Sequence, residues 1–279
     1  GYLLRATGPM QLSTGDVVDA DTVVAFLLNS VLQRYDSGDV FADNVLQDAV
    51  YGEVVASMFG KLASGSFDVP SLAFSVMLAF NERRMTFWSA HEAEQAILLE
   101  AGLVHELPES DDAVDRVGLY LNDNVGSKLS YYLTTTLRTS SGMCGVDASQ
   151  VHRLSLGLYS VLDPSLARSL SPSILGQYVR EGLPPGVQRV LVFVYAPPGA
   201  RFLRASVDGV EVELRPLHDT DHAVARLIAL VDPSGVARID VDIATGASHE
   251  RDLEVEMTPL IVHPQRDERP LDCSTVPVG

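Results

Sequence analysis

Three places in the sequence bring imidazoles, carboxylates or amides close enough together to do chemistry. The first is His91-Glu92-Ala93-Glu94-Gln95. A zinc-protease helix carries two histidines four residues apart, with a glutamate after the first, so that both imidazoles leave one face. Here Gln95 stands where the second ligand belongs, and a single imidazole does not hold zinc. The string reads better as a helix start, with Glu92 and Glu94 at the positive end of the helix dipole. The second place is Asn122-Asp123-Asn124, followed by Gly126 and Lys128. Calcium takes six or more oxygens, more than this loop supplies, whereas Asn, Asp and Gly all suit a turn between strands. Lys128 then pairs with Asp123 or with solvent and is no base. The third place is His218-Asp219-Thr220-Asp221-His222. Metal binding is chemically open to it, but nothing identifies two further ligands, and it reads as a solvated loop. Asp240 and Asp242 recur at period two and are expected to face water.

Trp88 lies beside Phe87 ahead of a helix and reads as a core filler, with stacking on a sugar as its functional alternative. There is no Gly-x-Ser-x-Gly elbow, no phosphate loop with Gly-Lys-Ser or Gly-Lys-Thr, and no Gly-x-Gly-x-x-Gly after a strand. The sequence therefore implies no cofactor and no metal, names no catalytic residue and leans against an enzyme. Ligand contact is assigned to Arg34, Trp88, His91, Asn122, Asp123 and Lys128.

The elements that position these residues fall into two parts. From Asp19 to Tyr35, Val24, Leu27, Leu28, Val31 and Tyr35 recur at helical spacing, with Asp21 as N-cap. A longer helix is expected from Val40 to Leu62, with Phe41, Val45, Ala49, Gly52, Val55 and Phe59 as its packing stripe. Asp68 and Pro70 open a third helix through Phe80. Met85 to Trp88 reads as a strand. Ser89 and Glu92 form a capping box for a helix over 90–101, stopped by Gly102. Prolines and acids from Pro108 to Asp115 then mark a boundary. Beyond it the period changes to two, in Leu129 to Leu137 and in Leu154, Leu156 and Leu158. Val190 to Tyr195 reads as a buried strand. Asp208-Gly209 and Pro233-Ser234-Gly235 read as hairpin turns. The expected fold is α+β. A helix-rich part over 1–112 continues a domain begun upstream, an antiparallel immunoglobulin-like β-sandwich spans 113–265, and a tail occupies 266–279.

With 20 basic and 37 acidic residues the formal charge is −17, so the overall field repels phosphate backbones, and no nucleic-acid partner is expected. Only Lys61 and Lys128 are lysines, a skew that suits a GC-rich genome. Hydrophobic residues at 46% suit a compact globular chain, and no run of apolar residues is long enough to span a membrane. Cys144 and Cys273 lie in no Cys-x-x-Cys pair and near no histidine at ligand spacing. They are expected to form one disulfide outside the cytoplasm, with two buried thiols as the alternative. That bond joins the glycine-rich turn Gly142 to Gly145 to the proline-rich tail and pins the tail along the sandwich.

Three blocks resemble the large actinobacterial envelope proteins known as the domain of unknown function 4012 family. They are Leu3-Leu4-Arg5-Ala6-Thr7-Gly8-Pro9-Met10, then Phe87-Trp88-Ser89-Ala90-His91-Glu92-Ala93-Glu94-Gln95-Ala96 with Gly102, then Leu119 to Leu133 through Asn122-Asp123-Asn124 and Lys128. The resemblance runs through most of the chain and weakens after about Pro184. It implies a membrane-anchored protein, with its spanning helix and several hundred residues upstream and its bulk outside the cytoplasm. The implied location is the cell envelope of an actinobacterium. The implied partners are other envelope proteins, cell-wall glycan and the upstream part, with contact to the membrane only through an N-terminal anchor. The implied role is that of a non-enzymatic scaffold or contact module. A fainter similarity to the LytR-CpsA-Psr glycopolymer transferases covers Leu4 to Leu62, through Gly8-Pro9, Gln33-Arg34-Tyr35 and Gly38-Asp39. It implies a site for a polyprenyl-linked glycan. Those enzymes hold pyrophosphate with several arginines, whereas here Asp39, Asp43 and Asp48 occupy the helix start and Arg34 alone could serve.

Overall fold

The computed structural model of the chain describes residues 1–276 apart from 105, 145–148, 178, 216 and 247–248. Gly145 of the expected glycine turn and the last three residues of the tail lie outside the described residues. The fold is mixed α+β, helical in its N-terminal part and β-rich in its C-terminal part. It divides into two compact units, Gly1–Glu106 with Leu170–Gly176, and Leu107–Ser169 with Gln177–Gly279.

The helical unit runs through α1 (Tyr2–Thr7), the two-stranded β1 (Met10–Gln11) and β2 (Val17–Val18), and α2 (Val23–Ala25). A π turn over Phe26–Ser30 joins α2 to α3 (Val31–Arg34), followed by α4 (Val40–Ala63), α5 (Val69–Asn81) and α6 (Glu92–Glu100). Local chemistry sets the starts. Asp39 caps α4 by accepting from Phe41 N at 3.1 Å and Ala42 N at 3.2 Å. Asp68 caps α5 by accepting from Ser71 N at 2.8 Å, with Pro70 in the first turn. At α2 the capping carboxylate is Asp19 and not Asp21, since Asp19 Oδ1 accepts from Thr22 N at 2.9 Å. Leu4, Met10, Val18, Phe26, Val31, Val50 and Val54 form the core.

Helix α4 is turned the other way from its expected packing. Phe41 is 80% and Phe59 58% exposed, with Val45 and Val55 also exposed, while Asp43, Gln47, Val50 and Val54 face inward. The loop leading into α4 explains the inversion. Its backbone groups need partners, and α4 supplies them: Asp43 accepts from Ser37 N at 3.0 Å and Ser37 Oγ at 2.8 Å, and Gln47 Nε2 donates to Tyr35 O at 3.0 Å. Met85 to Trp88 belongs to no sheet, and Trp88 is 76% exposed, so it fills no core. The Ser89–Glu92 capping box does not form. Ser89 N donates to Gln95 Oε1 at 2.9 Å, and Ser89 Oγ to Glu94 Oε2 at 2.6 Å. Gly102, at φ +66, closes α6 as expected.

The β unit contains β3 (Val114–Asp123), β4 (Leu133–Gly142), β5 (Val151–Ser160) and the short helix α7 (Pro164–Ala167). After α8 (Pro172–Leu175), which belongs to the helical unit, come β6 (Gln188–Tyr195), β7 (Arg201–Val207), β8 (Val210–Glu211) and β9 (Leu217–Asp219). The chain ends with β10 (His222–Val231), β11 (Val236–Ala244), β12 (Asp252–Met257) and β13 (Gln265–Pro270). One sheet has the order β12-β3-β6-β10-β9, the other β13-β4-β5-β11-β7-β8. Alternate residues of both meet in one apolar cluster. Val117, Leu119, Val192, Val194 and Leu227 come from the first sheet, and Leu137, Leu154, Leu156, Leu158, Ile239 and Val241 from the second.

Several turns and edges differ from the sequence reading. Leu129–Tyr132 is a 3-10 turn and the strand begins only at Leu133. Asp208 and Gly209, at φ +51 and +78, make the expected two-residue hairpin between β7 and β8. Pro233-Ser234-Gly235 instead carries the chain from one sheet to the other, because β10 and β11 lie in different sheets. The sheets are not wholly antiparallel. β12 joins β3 in parallel, and β13 joins β4 in parallel, since both late strands reach their edges by crossing connections and not by hairpins. β13 takes up residues 266–270 of the stretch expected to be a tail. Every one of its side chains is exposed, so its main-chain ladder is what marks it as a strand. Cys144 and Cys273 are bonded, with Cα atoms 5.1 Å apart.

Two outcomes follow. The exposed α4 stripe is contiguous apolar surface of the kind that binds hydrophobic dye, and Phe41→Ser with Phe59→Ser should lower dye fluorescence and aggregation while moving the unfolding midpoint by no more than about 2 °C. The disulfide closes a separation of 129 residues, for which chain entropy gives about 4 to 5 kcal/mol. Reduction should therefore lower the denaturant midpoint sharply, and the untreated chain should weigh two hydrogens less than the reduced one by mass spectrometry.

Candidate functional site

The outer face of the six-stranded sheet is polar in rows. Strand register places Thr136, Gly157 and Arg238 side by side, then Arg138, Ser155 and Asp240, then Arg153, Asp242 and Arg204. Asp242, expected to face water, is 1% exposed. Arg153 grips it with two bonds, Nε to Oδ1 at 2.6 Å and Nη2 to Oδ2 at 2.8 Å, and Arg204 Nη2 adds a third at 3.1 Å. Arg153 Nη1 also donates to Thr275 Oγ1 at 2.7 Å. Gly157 has no side chain because a Cβ there would stand 2.7 Å from the Tyr159 ring and 2.6 Å from Thr136 Oγ1. The Tyr159 ring therefore lies over Gly157 against the sheet. Two shallow clefts, each of about 510 Å³, run along this face. One is lined by Thr136, Arg138, Tyr159, Arg238 and Asp240, the other by Arg153, Arg204, Arg269 and Thr275 among others.

A second polar group lies between the sheets. Asp115 on β3 is 1% and His152 on β5 0% exposed. His152 Nε2 is 3.0 Å from Asp115 Oδ2, and its Nδ1 is 2.7 Å from Ser141 Oγ on β4. Arg251 Nη1 donates to Asp115 Oδ1 at 3.3 Å. Burial pushes the Asp115 carboxyl upward, but the bonds from His152 and Arg251 outweigh it and hold it below the usual carboxylate range. The sequence reading missed all three residues of the chain from Ser141 to Asp115, although the signal is present. His152 is in phase with Leu154, Leu156 and Leu158, and Asp115 with Val117 and Leu119, so each polar side chain sits on a buried face.

The residues assigned to ligand contact are scattered. Arg34 is bound to Asp16, through Nη2 to Oδ1 at 2.8 Å and Nη1 to Oδ2 at 2.5 Å. Trp88 and His91 are exposed, and His91 is the N-cap position of α6. Asn122 and Asp123 end β3. Asp123 accepts from Val125 N at 2.8 Å and from Ser127 N and Oγ at 2.6 Å each, a turn-forming role. Lys128 is exposed. His218 pairs across the ladder with Ala223, and His222 with Asp219, so the two imidazoles leave opposite faces. His222 is buried, with Nε2 3.3 Å from Pro108 O. No group of three or more His, Cys, Asp or Glu able to hold a metal occurs among the described residues.

No protein-family model and no curated protein matches the chain. Among solved structures, a Legionella pneumophila protein whose name proposes nutrient binding is 10% identical over 48% of this chain and 44% of that one, with a TM-score of 0.27. This chain thus spans less than half the length of that protein, and the likeness carries no argument about fold or function.

Breaking a buried charge pair by removing one partner costs about 3 to 5 kcal/mol, so Asp115→Asn should destabilise the chain by about that much at neutral pH. Because the folded pKa is depressed, this stability is fully present above the unfolded value near 3.9 and lost as pH falls through the folded value. Denaturant unfolding at a series of pH values should show the native chain and the variant converging in acid.

Proposed function

We propose that the chain is an extracytoplasmic contact module of a cell envelope and that the outer face of the six-stranded sheet holds a glycan there. The observation that carries this reading is the Tyr159 ring, laid over Gly157 and flanked by Thr136, Arg138, Arg238 and Asp240 in one cleft. A sugar offers an apolar ring face and a rim of hydroxyls. The first suits an aromatic platform, and the second suits charged planar groups that donate and accept in fixed directions. The disulfide fits an oxidising compartment, and the resemblance of three sequence blocks to the actinobacterial envelope family supports that setting. No helix among the described residues is long and apolar enough to cross a membrane. We read the stacked sheets as a variant of the immunoglobulin-like sandwich in which the late strands close both edges in parallel. The rival reading, a polyprenyl-linked glycan site of the LytR-CpsA-Psr type, depends on Arg34, and that arginine is already gripped by Asp16.

The test is binding of the chain to purified cell-wall glycan fragments by calorimetry or co-sedimentation. Tyr159→Ala should weaken binding about tenfold, equivalent to about 1.4 kcal/mol, and Arg238→Ala should weaken it further, without loss of the cooperative unfolding transition. Binding that is absent in the native chain, or unchanged in both variants, overturns the assignment of this face.

A further inference from the structure

The buried group between the sheets has the order of a hydrolytic relay: a hydroxyl, an imidazole and a carboxylate, each within hydrogen-bond reach of the next. Ser141 Oγ lies 2.7 Å from His152 Nδ1, and His152 Nε2 lies 3.0 Å from Asp115 Oδ2. Burial grades along the relay. Asp115 and His152 are sealed from solvent, whereas Ser141 is partly exposed and opens on a cleft of about 540 Å³. Strands β12 and β13 supply the walls with Asp252, Leu253, Glu268 and Arg269, and Arg251 stands beside them. A group that only pinned the sheets together would have no need of a hydroxyl at the solvent end. We propose that Ser141, His152 and Asp115 are the nucleophile, general base and orienting carboxylate of a carboxylic-ester hydrolase that works in this cleft.

The bond to Asp115 selects the tautomer with hydrogen on His152 Nε2, which leaves Nδ1 free to accept from the serine. Ser141 Oγ attacks the ester carbonyl carbon while its proton passes to Nδ1. The ester C–O bond then breaks, and the proton returns to the leaving oxygen, releasing an alcohol and leaving an acyl-serine. Water attacks the acyl carbon, gives its proton to Nδ1 and displaces Ser141 Oγ, which takes that proton back. The products are the carboxylic acid and the alcohol, and water is the only co-reactant. Arg251, bonded to Asp115, puts a cation on the cleft wall near the charge that develops on the carbonyl oxygen. An ester is the substrate class because its alkoxide leaves more readily than an amine, and so asks less of a single imidazole. This activity goes beyond the contact role, lies at a different place from the glycan face and depends on neither.

The test is covalent labelling of the full 279-residue chain with a fluorophosphonate probe, read by peptide mass spectrometry, alongside release of p-nitrophenol from p-nitrophenyl butyrate. The expected result is one label on Ser141, with labelling and hydrolysis at least 100-fold lower in Ser141→Ala, which keeps a cooperative unfolding transition although its midpoint falls with the loss of the bond to His152. Leu230→Ser, at an exposed side chain of β10 that does not line the cleft, should label as the native chain does. In Ser141→Cys, which keeps a nucleophile in place, iodoacetamide should modify position 141 faster than it modifies a free thiol in a denatured control. An unlabelled native chain, or labelling that persists in Ser141→Ala, overturns the proposal.

Discussion

A carboxylate taken out of water must be bonded on its free lone pairs or it costs the fold several kcal/mol, and Asp115 meets that constraint with partners drawn from separate parts of the β unit. It stands on β3, one strand in from the edge of the five-stranded sheet. His152 reaches it from β5 in the other sheet, and Arg251 from the residue just before β12. Gln150 ties Arg251 down further, accepting from its N at 2.8 Å and donating to its O at 2.8 Å. The register of the parallel pair β12–β3 is thereby set from outside the ladder. A slip of one residue would turn each side chain of β12 to the other face and carry Arg251 away from the carboxylate.

The β13 edge of the six-stranded sheet is held by different means. β13 buries no side chain, and its ion pair from Arg138 to Asp267 is half exposed on both sides, a kind of contact worth little in water. What keeps the strand in place is its ladder to β4, then the disulfide just beyond it, then the bonds from Arg153 to Thr275. Arg153 thus serves two ends, since the same guanidinium neutralises Asp242 within the sheet. The disulfide acts on the unfolded chain and the ladder on the folded one, so their contributions reach the same segment by independent routes.

Much of the apolar architecture was legible in the sequence. Leu154, Leu156 and Leu158 declare a strand with one buried face, Asp68 with Pro70 declares a helix start, and Gly102 declares a helix end, because each signal is local. What was not legible is non-local. The hydrophobic pattern shows a stripe on α4 but not which way the helix turns, and backbone groups of the preceding loop decided it by recruiting Asp43 and Gln47. Nor can a turn such as Pro233-Ser234-Gly235 show whether the next strand returns to the same sheet or crosses to the other. As for the candidate site, Asp115, Ser141 and His152 are far apart in sequence and match no motif, yet two of them sit in phase with leucines and valines. Histidine-rich strings such as His218 to His222 draw attention by composition, but their imidazoles leave opposite faces.

The polar residues that break the inside-outside rule therefore separate into two kinds. Asp43 and Gln47 are inward because a loop needs them, and the consequence is apolar surface on the far side of α4. Their partners are main-chain groups and the hydroxyls of Ser37 and Ser173, so nothing in that arrangement is left to act on a second molecule. Asp115 and His152 are inward with side-chain partners only, in a line that ends at a hydroxyl in contact with solvent. A buried polar group satisfied by backbone is structural in the strict sense, because the same bonds would be demanded whatever the protein did. A chain of side chains that passes from a sealed carboxylate through an imidazole to an accessible oxygen is under no such demand, since leucines on all three strands would have filled the space without the desolvation cost.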